Sequence, residues 1–276
     1  MPRKLVIIVS LLKEIFGVEK PLIGVVHLLP LPGSPRWNYS MEKVLERALQ
    51  DAEAYEKGGF DGIIIENYGD APYYPDKVDP ATVAAITRVA TLIAEKIEIP
   101  FGINVLRNDA EAALAIAYVT GGRFIRVNVL TEPVAADQGI IQGKAHLLQR
   151  YRKLLGADQV KIFADVHVKH AYPFMKRPIT ESAKDTVYRG LADALIVTGR
   201  KTGSPPSPIK AEKVKKAVPQ VPVLVGSGVN ENNIIQYLQV CDGVIVGTSL
   251  KIDNKTENPV DLNKVKKLVK KANQVR

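Results

Sequence analysis

Short apolar runs and longer segments with apolar residues every three or four positions alternate eight times along the chain. The runs predict strands over 22–28, 61–67, 100–106, 123–130, 160–168, 194–199, 222–226 and 243–247. The periodic segments predict helices over about 41–58, 79–97, 109–120, 143–156, 179–190, 208–218, 231–240 and 261–274. Regular strand–helix alternation predicts a parallel sheet with helical crossovers, an α/β fold. Eight units with no inserted domain predict closure into a single (β/α)8 barrel. An open doubly wound sheet is the alternative, weakened by the lack of a glycine-rich fingerprint after the first strand. Asp109 stands where a helix should be capped, Pro80 fits a first helical turn, and Gly58-Gly59 and Gly121-Gly122 stand where helices should stop.

The segments after strands are long and irregular in composition: 29–40, 67–78, 131–142, 169–178 and 199–207. Those before strands are mostly short. That asymmetry puts the working surface at the C-terminal ends of the strands. The strands turn polar at the same end. In the fifth, strict alternation puts Phe163, Asp165, His167 and Lys169 on one face, directed into the barrel. His27, Glu66, Asn67, Asn104, Arg126, Asn128 and Thr198 close other strands in the same way. Burying such groups costs several kcal/mol unless they satisfy one another or bind something. One reading is an ion-pair plug, with Arg126 on Glu66 or Asp165. The other is a ligand site, with His27, Glu66, Asp165 and Lys169 as acid–base candidates. Asn67, Asn104, Arg126, Asn128, His167 and Thr198 would then contact the substrate. Lys169 could form a Schiff base or bind an anion. His27, Glu66, Asp165 and His167 have the chemistry of metal ligands without their spacing, so no cofactor is required and a divalent metal is left open.

The last two strands each end in small residues and a hydroxyl: Gly226, Ser227 and Gly228, then Gly247, Thr248 and Ser249. Small side chains let backbone N–H groups approach a ligand. In a (β/α)8 barrel the loops after strands seven and eight are the usual phosphate site. The expected ligand is therefore a phosphorylated small molecule; the alternative is that these glycines only end strands. Residues 199–206, GRKTGSPP, form either a mobile lid with Arg200 and Lys201 over the phosphate or a solvated turn.

The length of 276 residues suits one such barrel. A single cysteine, Cys241, excludes an internal disulfide framework and multi-cysteine zinc sites, and fits a cytoplasmic protein. The net charge of +9 comes partly from the tail KVKKLVKKANQVR, 264–276, read as an amphipathic helix with a solvated basic face. No recognition motif supports nucleic-acid binding, while a positive field would draw in phosphorylated metabolites. The apolar run Leu5 to Leu12 is far short of the roughly 20 residues of a membrane span. It reads as a helix closing the barrel bottom or packing on a partner, with peripheral membrane contact the lesser alternative. High lysine with few Cys and Met hints at a thermophile.

IGVVHLLPLPGSPRW (23–37), DGIIIENYGDAPY (61–73), GINVLRNDAEAALAIA (102–117), RVNVLTEPVAADQGIIQGKA (126–145), ADVHVKHAYP (164–173), IVTGRKTGSPP (196–206), VLVGSGVNENNI (223–234) and VGTSLKIDNKTENPVD (246–261) resemble the BtpA family. The resemblance runs from about residue 21 to the end. It implies a TIM-type barrel of the phosphate-binding kind over 21–276; residues 1–20 fit the pattern less clearly and are read from their own apolar run as a helical extension. Its motif positions include Arg107 and Asp137 beside the residues named above. The family is named after a cyanobacterial protein needed for photosystem I biogenesis and peripheral to the thylakoid, and it has members in organisms without photosynthesis. The resemblance brings no settled reaction, so two functions are held: from the polar mouth and the phosphate turns, an enzyme on a phosphorylated metabolite, of isomerase or carbon–carbon lyase type; from the family's name, an assembly factor docking on a protein or membrane. A homo-oligomer is expected in either case.

Overall fold

Eight short strands whose burial is nearly complete on both faces close into a parallel barrel in the computed structural model, which describes residues 10–276. In chain order the elements are α1 (Leu11–Phe16), β1 (Leu22–His27), α2 (Met41–Lys57), β2 (Gly62–Glu66), α3 (Pro80–Lys96), β3 (Phe101–Asn104), α4 (Ala110–Thr120), β4 (Phe124–Val127), β5 (Pro133–Ala136), β6 (Gly139–Gln142), α5 (Ala145–Leu155), β7 (Lys161–Val166), β8 (Ala171–Pro173), α6 (Ile179–Tyr188), β9 (Ala194–Val197), α7 (Pro208–Ala217), β10 (Val223–Val225), α8 (Ile234–Val240), β11 (Gly243–Val246) and α9 (Leu262–Ala272). The barrel order is β1-β11-β10-β9-β7-β4-β3-β2. Each barrel strand is followed by a helix, as the alternation predicts. The helices begin and end where the sequence signals stand: Asp109 Oδ1 accepts from Ala112 N at 2.9 Å, and Gly121 ends α4 at φ 82°.

Alternation along the strands separates two cores. Residues facing outward, such as Val26, Ile63, Ile65, Ile103 and Ile125, pack under the helices in the large cluster. Those facing inward, including Ile23, Val25, Ile64, Phe124, Phe163, Ile196, Leu224 and Ile245, fill the barrel's lower half. Helix α1 joins them there. Its Leu12, Ile15 and Phe16 are buried, and the Phe16 ring meets Phe124 edge-on at 5.5 Å. Most of the apolar run Leu5 to Leu12 lies outside the described residues.

The segments 131–142 and 169–178, expected as loops, contain the main departure from the sequence reading. They carry β5, β6 and β8, a separate antiparallel sheet over one side of the mouth, with Val134 on Ile141 and Ala135 on Tyr172. The strands are too short to show a period, and only Val134 and Ile141 turn inward, onto Val129 and Val168.

Candidate functional site

Continuing the alternation upward, the inward position above the apolar layer is polar on six strands. His27, Glu66, Asn104, Arg126 and Asp165 are all buried there, and Thr198 follows β9. They engage one another. Arg126 donates from Nε to Asp165 Oδ1 at 3.0 Å and from Nη2 to Asp165 Oδ2 at 2.9 Å. Its Nη1 stands 3.9 Å from Glu66 Oε2, and that oxygen accepts from Asn104 Nδ2 at 2.7 Å. Asn128 Nδ2 reaches Asp165 Oδ2 at 3.5 Å. Asp165, expected to move protons, therefore has both oxygens on Arg126. It holds the guanidinium in place, and part of the cluster is the ion-pair plug that the sequence left open.

His27 differs. Its Nδ1 is buried with no partner among the described residues, and its ring packs on Tyr68 at 5.0 Å between centroids. Burial pushes its pKa well below the usual imidazole range, and the cations Lys251, Lys169 and Arg126 push the same way. His27 is neutral at pH 7 and able to donate or accept one proton.

Strand β7 ends at Val166, two residues earlier than the sequence reading, because His167 takes a left-handed φ of 51°. The expected alternation stops there. The imidazole Nε2 pairs with Ser182 Oγ at 3.0 Å on α6, and Glu132 shares that hydroxyl. Lys169 is positioned by its backbone: its N–H donates to Thr198 Oγ1 at 2.9 Å, and its carbonyl accepts from Arg107 Nη2 at 2.6 Å. Among the described residues its ammonium has no hydrogen-bond partner. Burial and the neighbouring Arg126 charge lower its pKa to about 8. Asn67 does not face the mouth: its Oδ1 accepts from Leu106 N at 2.7 Å and its Nδ2 donates to Asp70. His27, Glu66, Asp165 and His167 do not converge, and among the described residues no group of three or more His, Cys, Asp or Glu could hold a metal ion.

The two glycine-containing turns lie side by side. Gly228 has φ 67°, and a Cβ there would sit 2.2 Å from Pro205 N. A Cβ on Gly247 would sit 2.7 Å from His27 Cε1. The hydroxyls tie the turns down. Ser227 Oγ donates to Ser204 O and accepts from Gly199 N, Ser249 Oγ donates to Val229 O, and Thr248 Oγ1 meets Thr256 Oγ1. Among the described residues the backbone N–H groups of Gly228, Val229, Thr248 and Ser249 meet no acceptor. All four border a cavity of about 890 Å³ that Lys201, Lys264 and Lys267 also line. Lys264 and Lys267, read from sequence as part of a solvated face, are one helical turn apart at the start of α9, and Asp261 caps that helix. Periodicity shows the stripe they occupy but not the mouth beneath it.

A second cavity, of about 930 Å³, opens beside the first. Glu66, Lys169, Lys201 and Thr202 border both, so the two are lobes of one mouth with Glu66 and Lys169 between them. Tyr68, Tyr73, Arg107, Asp137 and Lys210 line the second lobe. Only Arg107 and Asp137 among these stand out in sequence, as motif positions. The stretch 199–206 crosses over the mouth and is pinned there: His170 Nε2 meets Thr202 Oγ1 at 3.0 Å, and His170 N donates to Arg200 O.

Among known proteins, the BtpA family matches residues 18–274. The Photosystem I biogenesis protein BtpA of Synechocystis sp. is 50% identical over 248 residues, covering 90% of this chain and 86% of the relative. An uncharacterized protein of Methanocaldococcus jannaschii is 46% identical, covering 94% and 97%. Among solved structures, the N-(5'-phosphoribosyl)anthranilate isomerase of Pyrococcus furiosus superposes with a TM-score of 0.56 at 14% identity, covering 93% of this chain and all of that one. That likeness is one of fold.

Proposed function

The chain belongs to the BtpA family, and on that premise we propose that it is an enzyme binding a phosphorylated small metabolite and moving protons on it. Isomerisation or carbon–carbon bond cleavage is the reaction type, since both need acid–base groups beside an anchored phosphate. One observation carries the reading. An amine with a pKa near 8 and no partner among the described residues stands on the wall shared with a cup of four unpaired backbone N–H groups. The N–H groups of Gly228, Val229, Thr248 and Ser249 would hold the phosphate, with Lys201, Lys264 and Lys267 supplying charge. Lys169 would be the base or carbonyl nucleophile, Glu66 and His27 the proton carriers, and Asp165 the group that holds Arg126. That the fold neighbour is named for a phosphoribosyl compound fits the proposal by analogy of fold.

A second reading, an assembly factor, has the name of the Synechocystis relative behind it. Its docking face would be α9. Val265, Leu268 and Ala272 of that helix are buried against the barrel, so only its lysine side is left for a membrane or partner. Among the described residues no helix is long and apolar enough to cross a membrane.

A thermal-shift screen against phosphorylated sugars, nucleotides and inorganic phosphate separates the two. A ligand at roughly 100 times its dissociation constant adds about 2.7 kcal/mol. The enzyme reading expects a shift with a phosphorylated compound, turnover of that compound, and loss of turnover in Lys169→Met with the shift retained. Vesicle co-sedimentation without any such shift would favour docking instead.

A further inference from the structure

The second lobe holds a cation that the acid–base reading leaves unused. Arg107 is 4% exposed, as deeply buried as Arg126, yet the two are treated differently by the fold. Arg126 has the Asp165 carboxylate across two of its nitrogens, Nε and Nη2. Arg107 forms no salt bridge among the described residues. Its Nη2 is spent on the Lys169 carbonyl, and its Nε is buried without a partner. Asn128, which lines the same lobe, likewise buries an unpartnered Oδ1. Asp165, Glu66 and Asp137 act on Arg107 only from beyond salt-bridge distance, so a buried guanidinium faces the cavity without a directly paired anion. The planar fork of arginine suits a carboxylate, which can take two of its N–H bonds at once.

We propose that the second lobe captures a substrate carboxylate on Arg107, so that the substrate is a phosphorylated acid: phosphate in the first lobe, carboxylate in the second. This inference rests on the phosphate assignment made above. Between the two anchors the chain of the substrate passes Lys169 and Glu66, two of the four residues that border both lobes. A carbon carrying a carbonyl or hydroxyl would thus be presented to the amine by its two charged ends. Lys210, also on this lobe, donates to Thr198 O at 3.0 Å and adds positive charge on the same side.

The test is equilibrium binding to the full chain of matched pairs that differ only at the end remote from the phosphate. 3-Phosphoglycerate is set against glycerol 3-phosphate, 4-phosphoerythronate against erythritol 4-phosphate, and 6-phosphogluconate against glucitol 6-phosphate. In at least one pair the acid should bind about tenfold or more tightly than the alcohol, the effect of a charge-assisted bidentate contact. Arg107→Met should bring the acid down to the alcohol and leave the alcohol unchanged; Arg107→Lys, which keeps the charge without the fork, should retain part of the preference. Equal affinity within every pair for the wild-type protein, with the phosphates still binding, would overturn the carboxylate site and spare the phosphate site. Failure of all six compounds and of inorganic phosphate to bind would overturn both. The wild-type comparison does not depend on either variant folding.

Discussion

Asp165→Asn distinguishes a carboxylate that holds an arginine from one that handles protons. Both side chains of the Arg126–Asp165 pair are buried, and two hydrogen bonds of 3.0 and 2.9 Å join them. Breaking a buried pair from one side costs about 3–5 kcal/mol, because the remaining charge is stranded. Asparagine keeps one oxygen for one of the two N–H groups, and Glu66 at 3.9 Å still offsets part of the charge. The loss should therefore lie at the lower end, about 3 kcal/mol. For chains near this length each kcal/mol moves Tm by about 2–3 °C, so a fall of roughly 6–9 °C is expected. The assay is thermal and urea denaturation of wild type, Asp165→Asn, Arg126→Met and the double variant. Because the two residues act on each other, the double variant should lose clearly less than the sum of the singles. A Tm within about 1 °C of wild type for Asp165→Asn, or losses that simply add, would refute the pair as the reason Asp165 is there.

Three further outcomes follow from the same geometry. Gly228→Ala must place a Cβ 2.2 Å from Pro205 N at a φ of 67°, so it should lower Tm and weaken phosphate binding together, read by thermal shift with and without phosphate. Lys251→Met removes the buried partner of Asp51, 2.6 Å away, which also holds Val260 N; a loss of about 3 kcal/mol in urea denaturation is expected, with ligand binding intact where the protein is folded. Lys169 has a folded pKa of about 8 against 10.5 ordinarily, so between those values the unfolded chain binds the extra proton, and this residue's contribution to stability rises with pH through that window. The difference in Tm between wild type and Lys169→Met should shrink from pH 7 to pH 10, and turnover should rise with an apparent pKa near 8.

The barrel was legible because each strand is apolar on both faces and each helix on one, a contrast that a sequence displays directly. The polar layer was legible for the same reason: His27, Glu66, Asn104, Arg126 and Asp165 interrupt otherwise apolar strands. What failed was extrapolation past the strand ends. Period two carries His167 into the barrel, but its left-handed backbone turns the imidazole to Ser182 instead. Asn67 and Thr198 read as substrate contacts and turn out to hold the backbone of Leu106 and Lys169. The sheet of β5, β6 and β8 is not legible in the sequence because strands of three or four residues with at most one buried side chain carry no period. Arg107 lies in a turn whose course depends on Tyr74, from which its N–H takes an acceptor 3.0 Å away; no local pattern gives that.

The central claim is that the turns after β10 and β11 form a phosphate cup, and amide chemical shifts test it most directly. On titration with inorganic phosphate the N–H resonances of Gly228, Val229, Thr248 and Ser249 should move together along one saturable isotherm, ahead of those of the exposed lysines. Shifts confined to lysine-rich surface, or none at these four amides, would contradict the account.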